Sequence, residues 1–205
     1  MIGILTDLAS AQDTKTIQLN PPDLNRGYPV MKALSLRASV NDYKEEDLSL
    51  QDLSDLLWAA NGVNRPESGK RTAPSAMNSQ DIDVYVVMKS GAYLYNAQKH
   101  ILEFISEGDY REFVADRQAD FAKAPLFLVL VSDISRFTRG EESGKMTWAA
   151  EDAGIVSQNI AIFCASVDLG TRPRASMNQE KLKEVLQLTD SQHPMLNHPV
   201  GYMVK

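Results

Sequence analysis

Three short clusters of polar and small residues could do chemistry, and each lies at the end of a predicted element. The first follows a helix predicted from about Val30 to Leu36 and contains Arg37, Ala38, Ser39 and Asn41. Arginine can bind a phosphate through two parallel N–H groups, and a serine hydroxyl nearby can add a donor. On spacing alone, an arginine at a helix end is more often solvated or interacts with the helix dipole.

The second cluster precedes a strand predicted over residues 84–88 and contains Pro74, Ser75, Ala76, Asn78 and Gln80. Small side chains leave backbone N–H and C=O groups accessible. The side-chain amides could match a ring edge that carries both donors and acceptors. The same composition is also typical of an ordinary polar turn.

The third cluster, residues 169–176, lies between a predicted central helix and a last predicted helix. It contains Pro173, Arg174 and Ala175. Such a segment could place a backbone N–H group and a cation beside an electron-rich ring. It could also be a helix end at Gly170 followed by a surface turn.

Composition and missing motifs exclude several classes of function. The chain has 205 residues and a formal net charge of -6, with no run of Lys or Arg, which argues against nucleic-acid binding. No segment is apolar and long enough to span a bilayer. Phosphate-loop, dinucleotide and serine-hydrolase motifs are absent, and the three histidines lack metal-ligand spacing. The single cysteine, Cys164, lies in an apolar run and is expected to be a buried structural residue.

The elements predicted around these clusters do not alternate as βαβ units, which disfavours a doubly wound nucleotide fold. Ser49 is expected to cap a helix that ends at Gly62 in a left-handed conformation, and a polar loop should follow over residues 63–80. The other expected elements are a helix over residues 110–122, a strand buried on both faces over 126–131, a helix over 147–167, a helix after Asn178 and a short strand over 200–204. Residues 1–28 read as an extended leader, and residues 29–205 as one domain.

Taken in order, these clusters resemble the nitroreductase family of FMN-dependent oxidoreductases, and the similarity covers most of the chain from Pro29. Each piece is weak, but the joint order is specific and is most similar to the short, stand-alone branch of the family. The pieces are Arg37-x-Ser39, residues 56–62, Pro74-Ser75-Ala76-x-Asn78, Ala124-Pro125 before the buried strand, residues 152–159, Gly170-Thr171 with Arg174, and Val200-Gly201-Tyr202.

The resemblance implies an α+β fold with a central, mainly antiparallel sheet flanked by helices, in an intertwined homodimer with two flavin sites at the interface. Arg37 and Ser39 would bind the FMN phosphate, together with Ala38 and Asn41 nearby. Pro74, Ser75, Ala76 and Asn78 would contact the flavin from the partner subunit. The segment Pro173, Arg174 and Ala175 would lie at flavin N5, and Gln118 would touch the pyrimidine side.

No side chain need act as a nucleophile or as a metal ligand, because the flavin carries the chemistry. The implied reaction is ping-pong: NADH or NADPH gives a hydride to flavin N5, and a nitroaromatic, quinone or similar small acceptor collects the electrons. Two departures from the family stand out. Asn41 occupies a position where a basic residue is common, for which Arg174 could compensate. The chain is also short at its C-terminus, where Lys205 is the sole candidate for a further basic phosphate ligand.

Two other functions stay open from the sequence. One is a flavin-dependent dehydrogenase or oxidase of a small or peptide-derived substrate, which the stretch Tyr93-Leu94-Tyr95 favours. The other is a non-catalytic flavin-binding domain, which Asn41 and the short C-terminus favour. Localisation is also open. If Ala9-Ser10-Ala11 is the remnant of a signal peptide, the protein is expected in the periplasm; if it is not, the protein is expected in the cytoplasm.

Overall fold

The computed structural model describes residues 15–204, so Ala9-Ser10-Ala11 and Lys205 lie outside the described residues. The expected α+β class is confirmed. A seven-stranded sheet has the order β1-β6-β5-β4-β7-β9-β8, and all its neighbouring strands are antiparallel. Its strands are β1 (Ile17–Gln18), β4 (Ile82–Met88), β5 (Gly91–Asn96), β6 (Ile101–Glu107), β7 (Leu126–Asp133), β8 (Leu169–Thr171) and β9 (Gln192–Tyr202).

Helices cover both faces of this sheet. They are α1 (Val30–Leu36), α2 (Leu50–Asn61), α3 (Arg111–Ala115), α4 (Glu142–Ser166) and α5 (Gln179–Val185), with short 3-10 helices at Ala76–Asn78, Ala119–Lys123 and Ile134–Arg136. A separate hairpin of β2 (Val63–Arg65) and β3 (Lys70–Arg71) follows α2.

β7 divides the core into two layers, as its uninterrupted apolar sequence predicts. Leu126, Leu128 and Leu130 pack in one layer with side chains of α2 and α4. The alternate residues Phe127, Val129 and Val131 pack in the other layer with residues of α3 and α5. Because successive side chains of a strand point to opposite faces, the buried β7 positions both helical layers around one sheet.

The helix expected over residues 110–122 is wrong. The chain forms α3, breaks at Asp116, which has a φ of 52°, and resumes as the 3-10 helix at Ala119–Lys123. The reason lies far along the chain, because the Arg174 guanidinium donates to the carbonyl oxygens of Val114 and Ala115. Those carbonyls end α3 with a side chain as their partner, so the helix does not continue.

Two other elements differ from those expected. Residues 63–80 are not a plain loop, since they contain the β2–β3 hairpin. The final strand begins at Gln192 rather than at residue 200 and includes Pro194 and Pro199. The α2 cap is confirmed, since Ser49 Oγ accepts from the Asp52 N–H at 3.0 Å.

Gly62 ends α2 for a different reason from the one expected. Its φ is -75°, which any residue can adopt, so no left-handed conformation is involved. A Cβ at this position would instead lie 2.7 Å from both the Cα and the carbonyl oxygen of Trp58. The glycine is therefore required by the close approach of the chain to the last turn of α2.

Candidate functional site

The segment after α1 runs beside β8 and presents Arg37 and Ser39 at the surface. The Arg37 N–H closes α1 by donating to Ala33 O, and the Val40 N–H donates to Thr171 O at 3.0 Å. The side chains of Arg37 and Ser39 are exposed, and among residues 15–204 neither has a hydrogen-bond partner. Two side-chain donors of the kind that bind phosphate are thus exposed at one edge of the sheet.

A cavity of about 750 Å³ opens next to this segment, and we call it the Asn41 cavity. Asn41 and Gln118, which the sequence places in the site, line it together. Arg172 also lines it and donates from Nη1 to Asn41 Oδ1 at 2.5 Å. The other lining residues are Asp42, Tyr43, Asp120, Phe121, Lys123 and Val204.

Arg174 lies in the protein interior and does not line this cavity. It is only 5% exposed. Its Nε donates to Gln118 Oε1 at 2.9 Å, and its Nη1 donates to Asn197 Oδ1 at 2.8 Å. Desolvation, together with the neighbouring Arg172 charge, lowers the pKa of Arg174. The guanidinium is fully engaged by protein acceptors, whereas Arg172 is the arginine that donates to Asn41.

The exposed residues on either side of Arg174 keep their backbone available. The Arg174 N–H donates to Asn197 O and is used up, and Pro173 has no N–H. Ala175 is exposed, and its N–H has no acceptor within residues 15–204. Of the three residues predicted to lie at the flavin edge, Ala175 is the one that can offer a backbone donor.

A buried polar network joins α4, β8 and β9, and sequence reasoning missed it. His198 is fully buried; its Nε2 lies 2.8 Å from Ser157 Oγ and its Nδ1 lies 3.1 Å from Thr171 Oγ1. Burial lowers the pKa of His198 to about 3, so the ring is neutral at physiological pH. Asn197, next in the strand, binds Arg174. No signal in the sequence distinguished these residues from ordinary strand positions.

The Pro74–Gln80 loop occupies a different part of the surface. The Ala76 N–H donates to the Asp152 carboxyl oxygens on α4 at 2.9 and 3.0 Å. The Gln80 N–H donates to Ser75 Oγ at 2.8 Å. Pro74 and Asn78 are exposed, so the predicted contact residues face outward from a well-held backbone.

Within one chain the loop and the Arg37 segment are apart. The loop is fastened to α4 at Asp152, whereas Leu36 and Ala38 share a small cavity with Ala161 and Cys164 of the same helix. Nine to twelve helical residues separate these points, which corresponds to about 14–18 Å. A single small ligand bound by both would have to span that distance, so the structure brings the two predicted halves to one helix but not to one pocket.

Other expectations concern classes of site. Within residues 15–204 no group of acidic, His and Cys side chains is arranged to hold a metal ion. No helix of the described residues has the length and apolar character needed to cross a bilayer. Cys164 is buried, as expected, and burial raises the pKa of its thiol.

Comparison with known proteins identifies the family of this chain. The Nitroreductase family profile matches residues 34–202. A candidate nitroreductase of Methanocaldococcus jannaschii is 30% identical over 202 residues, covering 94% of this chain and 99% of its relative.

Two solved structures are also similar. The crystal structure of a candidate nitroreductase from Ralstonia eutropha JMP134 has a TM-score of 0.87 and 34% identity, covering all of this chain and 97% of that one. A chain of the Escherichia coli microcin synthetase McbBCD complex shares the fold, with a TM-score of 0.71 and 16% identity over 80% of this chain and 67% of that one. The chain belongs to the nitroreductase family, whose members are flavin oxidoreductases.

Proposed function

We propose that this protein is an FMN-dependent oxidoreductase that takes electrons from NADH or NADPH and passes them to a nitroaromatic, a quinone or a similar small acceptor. The observation that carries the proposal is the Asn41 cavity. There Asn41, Gln118 and Arg172 meet in a chain of the nitroreductase family.

The donor set fits FMN. Arg37 and Ser39 provide a cation and a hydroxyl for the phosphate, with Ala38 between them leaving the backbone accessible. Asn41 and Gln118 offer amide donors and acceptors to the pyrimidine edge of a ring, and the Ala175 N–H is free to donate to a ring nitrogen. A flavin presents both kinds of group, so each described partner has a chemically matched atom.

When bound, FMN would accept a hydride at N5 and deliver electrons to the acceptor. The chain's own residues then bind, orient and polarise. Arg172 places a positive charge against Asn41 Oδ1, where it would favour an added negative charge on the ring. This assigns to Arg172 the role that a basic residue at position 41 has elsewhere in the family.

A homodimer is part of the proposal, and exposed apolar side chains support it. Val30 and Met31 of α1 are 60% and 75% exposed, and Leu34 and Leu36 are also exposed. Ile155 on α4 is also 37% exposed, and a Cβ at the neighbouring Gly154 would meet no atom within 4 Å. Exposed apolar side chains clustered on one helix, as on α1, mark interaction surfaces. A second copy on this face would bring its Pro74–Gln80 loop, with Pro74, Ser75, Ala76 and Asn78, to the flavin of the first.

Replacement of Arg37 by Ala tests the site. The loss of a charged hydrogen bond to phosphate should weaken FMN binding by about 10- to 150-fold, corresponding to about 1.5–3 kcal/mol. Lys181→Ala is the control, since Lys181 is an exposed cation on α5 whose described ion pair is with Glu184 at 3.6 Å. Titration of apoprotein with FMN measures both. Equal affinity of wild type and Arg37→Ala would show that Arg37 does not bind the phosphate and that these loops are only structural.

The oxidase alternative loses its sequence support. Tyr93 and Tyr95 are each 6% exposed within β5, and Tyr95 Oη lies 2.8 Å from His100 Nδ1. These rings are core residues and do not line the Asn41 cavity, so they do not favour an oxidase over a reductase.

A further inference from the structure

Two buried carboxyl groups lie beneath the Pro74–Gln80 loop. Asp81, directly after the loop, is fully buried, and Asp152 on α4 is 3% exposed. They lie close enough for a side-chain hydrogen bond to form between them. Because an ionised carboxylate has no donor, one of the two must carry a proton for that bond to exist.

Both members of the pair hold the loop. Asp152 accepts the Ala76 N–H through both oxygens, at 3.0 and 2.9 Å. Asp81 accepts from Ser79 Oγ at 3.2 Å and from Ser132 Oγ of β7 at 2.5 Å. The pair thus connects the loop to α4 and to the sheet.

The loop needs such restraint. Met77, Asn78 and Gln80 have φ values of 55°, 54° and 50°, in the left-handed region. For residues other than glycine this conformation costs about 1–2 kcal/mol each. Contacts outside the loop must supply that free energy if the loop is to stay in shape.

Among the described residues no cation forms an ion pair with Asp81 or Asp152, although Arg71 and Arg136 lie close enough to Asp81 to interact with its charge. Arg136 forms ion pairs with Asp83 and Asp133, and Arg71 lies near but donates to Ile82 O. The remaining charged neighbour, Glu151 on α4, is negative. Desolvation and the hydrogen bond with Asp81 raise the pKa of Asp152 to about 7, which is the expected direction for a buried carboxyl beside another.

We propose that Asp152 is a positioning residue for the Pro74–Gln80 loop, and that it acts as a protonated latch shared with Asp81 which opens as the proton is lost. That the loop serves a flavin rests on the proposed function. The latch itself does not, because it concerns contacts within one chain.

The direction of the pH dependence follows from the linkage between proton binding and loop opening. The closed loop retains a proton that an opened, solvated Asp152 would release above about pH 4. Between about pH 5 and 7, opening therefore releases one proton and should become tenfold more favourable with each pH unit. Above about 7 the closed form is also ionised, and the dependence should level off.

Amide hydrogen exchange of the full-length protein tests the latch. Mass spectrometry of the peptide that contains residues 74–81, normalised to intrinsic exchange rates, should show protection that falls about tenfold per pH unit from 5 to 7. Asp152→Asn keeps an acceptor for Ala76 and a donor for Asp81 but cannot ionise, so its protection should be high and independent of pH. Asp152→Ala should have low protection at every pH.

Two further variants keep the test sharp. Asp81→Asn leaves a single carboxyl and should also lose the pH dependence. This variant replaces Asp152→Asn in the test if Asp152→Asn does not fold. Asp55→Asn is the control, because Asp55 on α2 is equally buried but forms an ion pair with Arg26, away from the loop, so the wild-type slope should remain. A flat wild-type profile, or the same slope in Asp152→Asn as in wild type, would overturn the latch.

FMN titration over the same pH range separates the two proposals. Affinity that follows loop protection supports the latch and the flavin-binding role together. Protection that changes with pH while FMN affinity stays constant would leave the latch standing and remove the role of the loop in flavin binding.

Discussion

Replacement of Arg174 by Met should destabilise the protein, because the guanidinium holds several elements around one charge. It donates to Val114 O and Ala115 O of α3, to Gln118 Oε1 and to Asn197 Oδ1 of β9, at distances from 2.7 to 3.2 Å. It also lies 4.8 Å from the centre of the Phe121 ring. No carboxylate within residues 15–204 forms an ion pair with it, so these neutral acceptors are its described partners.

The loss of unfolding free energy in Arg174→Met depends on which acceptors lose their hydrogen-bond donor. Ala115 O keeps the Gln118 N–H at 3.1 Å, and the exposed Gln118 side chain can bind water. Val114 O and Asn197 Oδ1 would stay buried without this donor, at about 1–3 kcal/mol each. Removing a poorly solvated cation returns part of that free energy. The net loss of unfolding free energy should be about 2–4 kcal/mol.

Urea denaturation of Arg174→Met, Arg172→Met and wild type measures this loss. Arg172→Met is the matched control, since Arg172 is partly exposed and its described hydrogen bond is with Asn41, so it should change stability by less than about 1 kcal/mol. If Arg174→Met unfolds within about 0.5 kcal/mol of wild type, or if both variants cost the same, the assignment of Arg174 to the scaffold and Arg172 to the cavity is wrong.

Three other changes test separate contacts. Arg172→Gln should lower the midpoint potential of bound FMN by roughly 30 mV, equivalent to about 1.4 kcal/mol, and spectroelectrochemistry would show no shift if the charge does not reach the ring. His198→Gln should make stability less dependent on pH in acid. Because the pKa of His198 is lowered to about 3, the unfolded chain binds a proton that the native ring excludes, and this residue should cost wild type about 1.4 kcal/mol of unfolding free energy per pH unit as pH falls from about 6.5. Urea titrations of both proteins at pH 6.5 and 4.5 measure the difference. Gly62→Ala should cost about 1–3 kcal/mol through the clash with Trp58, visible as a lowered thermal midpoint, whereas an unchanged midpoint would show that the last turn of α2 yields freely.

Local patterns predicted the elements whose causes are local. The Ser49 cap and the periodic leucines predict α2, and the unbroken apolar run predicts β7 as a strand buried on both faces. β9 is much longer than the strand expected over residues 200–204, although it contains Pro194 and Pro199, which cannot donate to a neighbouring strand. It nevertheless pairs with β7, with a register shift between Leu130 and Val131.

Features that depend on contacts between residues distant in the chain could not be predicted from the sequence. The break after α3 depends on Arg174, about 60 positions further along the chain. The choice between Arg172 and Arg174 depends on Asn41, which is 131 positions before Arg172. Pro173 separates two arginines that look equivalent in the sequence, and only the packing of β9 and α3 turns one inward and leaves the other at the cavity.

The absorption spectrum of the isolated protein, recorded without oxygen before and after addition of NADH or NADPH, tests the central claim most directly. We expect a yellow protein, as purified or after reconstitution with FMN, whose flavin absorption bleaches with reduced nicotinamide and returns on addition of a quinone or a nitroaromatic compound. A protein that stays colourless with excess FMN would contradict flavin binding. A bound flavin that reduced nicotinamide fails to bleach, but that air rapidly reoxidises after chemical reduction, would contradict the reductase and favour the oxidase.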